Sequence, residues 1–463
     1  MLCRYSGLCA VSIKGWAKGI AYVPSNQLIG QELTSESPNH SWNAVYISGS
    51  WHLIDSNWAS NRQAAEDALA ADYDEFYFLT DPTELKFSHF PENPAWQLLS
   101  RELTAAEFEV LPHLKSHFFT LGLRVLSQIQ GVLYTHHGLL TLTLGFSKPT
   151  AFTYKISYGS DKEEWLNDVD LSKYVLQEMT DNRLTYYFRA RFPGNYHLTI
   201  FARDARNGVP KGSIVFKSVA EYEIVVPLDA SFKAHGPFPY CSDSSWGSDV
   251  YVHQYPIVPS IKSAILLCPT GRAQLVFEKA PNLKLYARLV HDGISFEELK
   301  SWLTYEEVKG QTVLRVDLKR GGGEYGLEIF ANDPEVDGEV FTHFSQYLLV
   351  SLDQKFSSLF GYVFDRDDLP SAKAHHDVYS LPEQDDLSQD DVVQAKGHHH
   401  VYSLPEQDNL PEDDVVQAKE HHHVYSLPAQ VDDILFSFWY RPETNVAVRN
   451  VNIGFLGKLV SGC

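Results

Sequence analysis

The sequence has few cysteines, no long apolar run and a deficit of basic residues. None of the five cysteines among its 463 residues forms a CxxC pair, so neither a disulfide framework nor a cysteine zinc site is predicted. No stretch approaches the roughly eighteen apolar residues of a membrane span. The first residues, MLCRYSGLCAVSIKGWAKG, lack the apolar core of a signal peptide. We therefore expect a protein of the reducing cytoplasm.

The charge excludes two classes of partner. Thirty-eight Lys and Arg stand against 59 Asp and Glu, which gives a formal net charge of -21. Nucleic-acid binding requires a basic surface that neutralises phosphates, and docking on anionic lipid requires clustered Lys and Arg. The partners are therefore expected to be proteins, and the sequence indicates no cofactor.

The middle of the chain contains a long internal repeat in a β-rich context. The string YxLxIFAxD occurs at residues 196–204 and again at 325–333, an offset of 129 residues. A repeat of this length predicts two copies of one domain, and the short alternating strands favour antiparallel sandwiches of immunoglobulin-like size at 106–228 and 247–352. A glycine-bearing turn precedes each IFA strand (FPGNY and RGGGEY), which predicts a hairpin there.

Residues 364–433 have a different composition. VYSLP recurs at Val378, Val401 and Val424, and the segment carries seventeen acidic against four basic residues, a net charge of -13. Such a segment cannot bury enough apolar surface to offset its chain entropy, so disorder is predicted. Its histidine clusters are able to chelate a metal, but repeat drift is the simpler interpretation, and no metal site is predicted. Residues 434–463 are apolar and strand-like, without a domain assignment.

Residues 40–58, HSWNAVYISGSWHLIDSNW, place two ionisable residues, His40 and Asp55, in a segment rich in aromatic residues. Alternation on both sides of Ser48-Gly49 predicts a β-hairpin with those two residues at its tip. In that register Asp55 lies opposite Trp42 and diagonal to His40. The backbone positions from which the side chains of His40 and Asp55 project are then roughly 7 Å apart or less. The pair supplies two parts of a Cys-His-Asp or Ser-His-Asp triad, in which the acid orients the imidazole. The alternative is a His–Asp hydrogen bond that serves only the fold.

Three segments, GLCAVSIKGWAKG, HSWNAVYISGSWHLIDSNWA and FPENPAWQLLSRELTAAEFEVLPHLKSHFFTLGL, closely resemble the kyphoscoliosis peptidase and hillarin family. The resemblance covers residues 1 to about 350. It implies an α+β, papain-like transglutaminase-like core over residues 1–105, here only partial, with His40 as general base and Asp55 as its orienter. It also implies a cytoplasmic function associated with the cytoskeleton, in muscle or at septin-like filaments.

The nucleophile departs from that family's pattern. The family's cysteine opens a helix, where the helix dipole and a nearby imidazole lower its pKa. It lies upstream of the stretch that resembles MLCRYSGLC, so Cys3 aligns late in that helix. Cys9 precedes strand-like sequence and is a weak candidate. Two functions remain open. The chain is either a non-catalytic scaffold for cytoskeletal proteins, or a cysteine protease or transamidase whose cysteine lies upstream of this sequence and forms a thioester.

Overall fold

The computed structural model describes most of the first 351 residues and two later ones. The described residues are 2–19, 22, 37–60, 73–160, 162–180, 182–206, 215–241, 245–247, 255–308, 310–320, 322–351 and 433–434. The predictions of disorder for 364–433 and of strands for 434–463 therefore fall outside the described residues, apart from Asp433–Ile434. No helix in the described ranges has the length and apolar composition needed to cross a membrane.

The first domain combines one antiparallel sheet with short helices. Its sheet has the order β4-β3-β2-β1-β5, where the strands are β1 Ala10–Ala17, β2 His40–Ile47, β3 Ser50–Ile54, β4 Phe78–Thr80 and β5 His89–Pro91. Its helices are α1 Leu2–Tyr5, α2 Ser56–Ala59 and α3 Pro82–Leu85, with 3-10 turns at Glu75–Tyr77 and Pro94–Gln97. The core of this domain is Ile13, Trp42, Ala44, Leu53, Ala59, Tyr77 and Leu85.

The β2–β3 hairpin has the predicted register. Ser48 and Gly49 both have positive φ, 54° and 90°, which is the backbone of a tight two-residue hairpin turn. Ile47 pairs with Ser50, and Asn43 pairs with Ile54. Since side chains alternate along β2, the residues with even numbers near its start face the core, and Trp42 and Ala44 are buried.

The second domain is a two-sheet sandwich. One sheet has the order β10-β15-β16, with β6 and β8 also on β16; the other has the order β17-β13-β14-β9-β7. The strands are β6 His113–Leu114, β7 Leu123–Val125, β8 Val132–Tyr134, β9 Leu139–Phe146, β10 Thr150–Tyr158, β11 Trp165–Leu166, β12 Val169–Asp170, β13 Val175–Thr180, β14 Arg183–Arg189, β15 Gly194–Asp204, β16 Phe216–Val226 and β17 Ser245–Trp246. The helices are α4 Ala105–Val110, α5 Ser116–Thr120 and the 3-10 turn Leu171–Tyr174.

The third domain is a second sandwich. Its sheets have the orders β18-β20-β23-β22 and β19-β25-β24-β21. Its elements are β18 Ile257–Pro259, β19 Ile265–Cys268, β20 Arg272–Lys279, β21 Lys284–Val290, α6 Phe296–Lys300, β22 Leu303–Val308, β23 Gln311–Asp317, β24 Gly323–Asn332 and β25 Thr342–Ser351. A last short strand, β26 Asp433–Ile434, pairs with β16 of the second domain.

The two sandwiches have the same topology, as the sequence repeat predicts. The path β10-β15-β16-β8 corresponds to β21-β24-β25-β19, and in both the last strand pairs in parallel. The path β7-β9-β14-β13 corresponds to β18-β20-β23-β22. The ladder beside each IFA strand shifts register at the same step, between Ile200 and Phe201 and between Ile329 and Phe330, because β16 and β25 each have one extra residue there.

The predicted hairpin before each IFA strand is wrong. β14 and β15 lie in different sheets, as do β23 and β24, so each glycine-bearing turn crosses from one sheet to the other. The glycine is needed for space. A Cβ on Gly194, which has φ 133°, would lie 2.2 Å from the Tyr158 hydroxyl. Glycine content alone does not distinguish a hairpin turn from a sheet-to-sheet crossing.

Polar and apolar contacts join the two sandwiches. Arg189 of β14 forms two hydrogen bonds, of 2.7 and 2.6 Å, with Glu324 of β24, and its guanidinium lies 3.8 Å from the centre of the Phe238 ring. The Glu178 carboxylate accepts a 2.7 Å bond from the Ala264 backbone N–H. One apolar cluster spans the contact and contains Leu176, Phe238, Trp246, Ala264, Ile265, Leu348 and Val350.

Candidate functional site

His40 and Asp55 meet at the open end of the β2–β3 hairpin. His40 is the first residue of β2, and Asp55 follows the last residue of β3. The His40 Nε2 atom lies 2.5 Å from Asp55 Oδ2. The diagonal relationship predicted from the hairpin register therefore brings the two side chains into direct hydrogen-bond contact.

The second carboxylate oxygen of Asp55 caps a helix. Asp55 is the N-cap of α2, and its Oδ1 accepts hydrogen bonds of 3.0 Å from the backbone N–H groups of Asn57 and Trp58. Such caps satisfy N–H groups that have no partner within the helix. Burial by itself would raise the pKa of the Asp55 carboxyl, but the hydrogen bonds from His40, His89 and Trp58 outweigh it and hold that pKa below its usual range.

A second imidazole binds the same carboxylate oxygen. His89, the first residue of β5, has its Nε2 atom 3.0 Å from Asp55 Oδ2 and its Nδ1 atom 2.8 Å from the Ser88 hydroxyl. Burial lowers the pKa of His89, and the bond to Asp55 opposes that shift. His89 was not predicted from the sequence, because β5 is added to the far edge of the sheet and no spacing rule relates it to Asp55. Its only signal is a histidine beside the apolar segment FPENPAW.

Aromatic side chains surround the three polar groups. The Trp58 ring lies 5.2 Å from the His40 ring and 4.5 Å from the His89 ring, and Trp42 lies 5.0 Å from His89. The side chains of Asp55 and His89 are each only 1% exposed, whereas His40 is 12% exposed. Of these three described side chains, His40 is therefore the one that remains partly accessible to solvent.

Gly15 allows the sheet to close behind the site. It lies in β1 and pairs with His40 on one side and with Pro91 on the other. A Cβ at this position would lie 2.2 Å from the Phe90 carbonyl oxygen and 2.6 Å from the Trp42 ring. Only glycine fits there without moving the strands that present the two histidines.

The hydrogen bonds define what His40 is able to do. Because an ionised carboxylate only accepts, both Nε2 atoms donate to Asp55, which fixes the Nε2–H tautomer of each neutral ring. In His40 this leaves Nδ1 as the basic nitrogen. A carboxylate behind an imidazole also stabilises the imidazolium that forms when the ring takes a proton. The arrangement thus has the geometry that a general base and its orienting acid require.

The cysteines predicted as weak candidates lie away from His40. Cys9 immediately precedes β1, six residues before the residue that pairs with His40, which places it about 20 Å along the strand. Its carbonyl accepts from Tyr46 N–H at the far end of β2. Cys3, in α1, accepts through its carbonyl from Leu8 at that same end. Cys241 and Cys268 belong to the sandwich region.

Comparison with known proteins identifies relatives over three quarters of the chain. The sequence model of the KY-like, immunoglobulin-like domain matches residues 105–230, which contain the first sandwich. The chain is 28% identical to hillarin of Drosophila melanogaster over 72% of this chain and 42% of hillarin. It is 27% identical to the Lim and transglutaminase domain protein ltd-1 of Caenorhabditis elegans and 28% identical to kyphoscoliosis peptidase of Mus musculus, in each case over 76% of this chain and 50% of the relative. The chain is a homologue of hillarin and kyphoscoliosis peptidase.

This relationship agrees with the resemblance seen in the sequence motifs. It also supports the immunoglobulin-like character of the first sandwich, and the repeated topology extends that description to the second. The chain spans about half the length of the curated relatives it matches. The activity, substrates and partners of the whole protein are therefore matters for proposal.

Proposed function

We propose that the first domain is a transglutaminase-like core and that this chain acts as a scaffold that binds proteins, without catalysing a reaction of its own. The observation that carries this proposal is the position of the thiols. His40 and Asp55 are assembled, but Cys9 and Cys3 lie at the opposite end of β1. A thiolate must lie within hydrogen-bond reach of its base to be activated by it.

Scaffolding is supported by the way the two sandwiches are held together. The bonds from Arg189 to Glu324 and the shared apolar cluster give the pair a fixed relative orientation. The strand pair β11–β12 of the first sandwich also presents Trp165, 59% exposed, on a short hairpin. An exposed tryptophan on a rigid support is the kind of anchor that dominates protein–protein binding energy.

We further propose that the partners are cytoskeletal proteins and that the work is cytoplasmic. The support comes from the resemblance to the family and from the acidic charge, which disfavours nucleic acid and anionic lipid. Co-sedimentation with purified actin and septin filaments tests this directly. We expect the complete chain to pellet with one of them and Trp165→Ala to weaken that binding at least tenfold. The exposed Val336 on the other sandwich serves as control, and Val336→Ala should bind as the wild type does.

A second candidate function is that of a cysteine protease or transamidase. It is favoured by one specific observation, the 2.5 Å bond between His40 and Asp55 that leaves His40 Nδ1 as a base. A thiol supplied from outside the present sequence would give its proton to that nitrogen and attack an amide carbonyl, forming a thioester. Water or an amine would then release the product, so hydrolysis and amide transfer share the same first half.

A thiol-reactive probe separates the two candidates. For the scaffold, we expect Cys9 to react with iodoacetamide at the rate of an ordinary exposed thiol, and the rate to be the same in His40→Ala. No amine release from a peptide substrate is expected. Rapid labelling that His40→Ala abolishes, or amine release that Cys9→Ala abolishes, would establish the enzyme instead.

A further inference from the structure

We propose that His40, Asp55 and His89 form a binding site for a divalent transition-metal ion of the Zn²⁺ class. Their ligand atoms, two imidazole nitrogens and one carboxylate oxygen, all lie within 4.8 Å of one another. Two histidines and one carboxylate, with a fourth position left for water, form one of the ligand sets that proteins use for zinc. This site needs no thiol, so it does not depend on either function proposed above.

The distances fit a tetrahedral ion after a small adjustment. With metal–ligand bonds of 2.0–2.2 Å, neighbouring ligand atoms of a tetrahedral site lie roughly 3.3 Å apart. His89 Nε2 already lies 3.0 Å from Asp55 Oδ2, whereas His40 Nε2 is closer, at 2.5 Å. His40 is the most exposed of the three, so its ring is the one free to move outward. The ion would enter from the same side.

Partners outside the three ligands already hold two of them in place. Asp55 Oδ1 is fixed by the backbone N–H groups of Asn57 and Trp58, which leaves Oδ2 to face the two imidazoles. His89 Nδ1 contacts the Ser88 hydroxyl, which is able to donate or accept. When Nε2 binds an ion, the ring proton moves to Nδ1 and the serine accepts from it. Outer contacts of this kind commonly support metal-binding histidines.

Metal binding and acid–base chemistry exclude each other at His40. An ion on Nε2 leaves the neutral ring protonated at Nδ1, so the nitrogen that would take a thiol proton is no longer basic. This consequence alone rests on the second candidate function. It makes the ion an inhibitor of any activity at the site, while the binding itself is measured without a substrate.

Calorimetric titration of the complete chain with Zn²⁺ tests the site. Because the histidine clusters of residues 364–433 are able to chelate zinc, the informative quantity is the difference between variants. His89→Gln removes a ligand but keeps an N–H for Asp55. We expect it to lose one equivalent of zinc, or to bind that equivalent at least tenfold more weakly. His52→Gln is the control, since His52 lies on β3 and bonds Ser50 instead. Equal stoichiometry and affinity in the wild type and His89→Gln would overturn the proposal.

Cobalt absorption gives a second test of the site, which uses a variant of His40 instead of His89→Gln. Four-coordinate Co²⁺ absorbs visible light far more strongly than six-coordinate Co²⁺, so the wild-type chain should develop this band on titration. His40→Gln, at the exposed edge of the site, should lose the band while its far-ultraviolet circular dichroism stays unchanged. A wild-type chain without the band, or a band that persists in His40→Gln, contradicts the site.

Discussion

Asp55 and His89 hydrogen-bond at 3.0 Å although 34 residues separate them in the sequence. This contact ties β5, at one edge of the sheet, to the end of β3. Asp55 also binds His40 through the same oxygen and caps α2 through the other. A single carboxylate therefore joins three strands and a helix, and its side chain is only 1% exposed, a setting in which hydrogen bonds to a charged group are strong.

Asp55→Ala should destabilise the first domain strongly. It removes a charge that accepts two imidazole and two backbone hydrogen bonds and leaves buried donors without a partner, so we expect a loss of about 3 kcal/mol in the free energy of unfolding. Asp81→Ala is the control, because Asp81 caps the equally short α3 in an exposed setting, where losing a cap costs about 1 kcal/mol. Urea unfolding measures both. Equal losses would mean that Asp55 acts only as a cap.

The site was partly predictable because a hairpin is local. A tight turn at Ser48-Gly49 fixes the register, and the register alone brings Asp55 to His40. His89 was not predictable, because β5 pairs with β1 only after three intervening strands and two short helices, rather than through a short turn. No pattern in the sequence between Asp55 and His89 predicts that the two side chains come into contact.

For the sandwiches too, the sequence predicts local features but not the pairing of distant strands. The repeated IFA string predicts two copies of one domain, and the matching register shifts at Phe201 and Phe330 follow from it. The glycine turns were misread as hairpins, because a turn that changes sheets uses the same residues as one that stays within a sheet. Which sheet a strand enters depends on packing between distant strands.

Gly15→Ala should disrupt the sheet beneath the site. The added methyl group would meet the Phe90 carbonyl and the Trp42 ring at distances well inside van der Waals contact, so either β5 or Trp42 must shift. We expect a loss of about 2 kcal/mol or more in the free energy of unfolding, together with altered tryptophan fluorescence. Gly236→Ala is the matched control. Its added methyl group would meet no atom within 4 Å, so its stability should stay within about 0.5 kcal/mol of the wild type.

A buried lysine joins the first domain to the first sandwich. The Lys18 ammonium group donates to the carbonyls of Phe108 and Leu111, at 2.7 and 2.8 Å, near the end of α4. Burial lowers the pKa of Lys18 to about 7, and the nearby Glu109 opposes that shift. The folded protein therefore holds less proton on this group than the unfolded chain does over the range between about pH 7 and the ordinary lysine pKa.

The pH dependence of stability follows from that difference. Because the unfolded state binds more protons on Lys18, the free energy of unfolding should rise with pH, by about 2 kcal/mol between pH 7 and pH 9. Lys18→Met should flatten this rise, whereas Lys14→Met, at an exposed position of β1, should retain it. Urea unfolding across that range provides the measurement. A wild-type profile without a rise would show that Lys18 remains charged in the folded protein.

The bond between Arg189 and Glu324 should stabilise the contact between the sandwiches. The two side chains are only 14% and 13% exposed, and their paired hydrogen bonds are reinforced by the Phe238 ring beneath the guanidinium. A double-mutant cycle with Arg189→Ala and Glu324→Ala should therefore give a coupling free energy of about 2 kcal/mol. The same cycle on Arg315 and Glu306, which are 48% and 52% exposed, should give less than about 1 kcal/mol. Thermal unfolding of Arg189→Ala should also separate the transitions of the two sandwiches, because each retains its own core once the contact is weakened. A coupling no larger than that of the exposed pair would mean that the apolar cluster alone holds the sandwiches together.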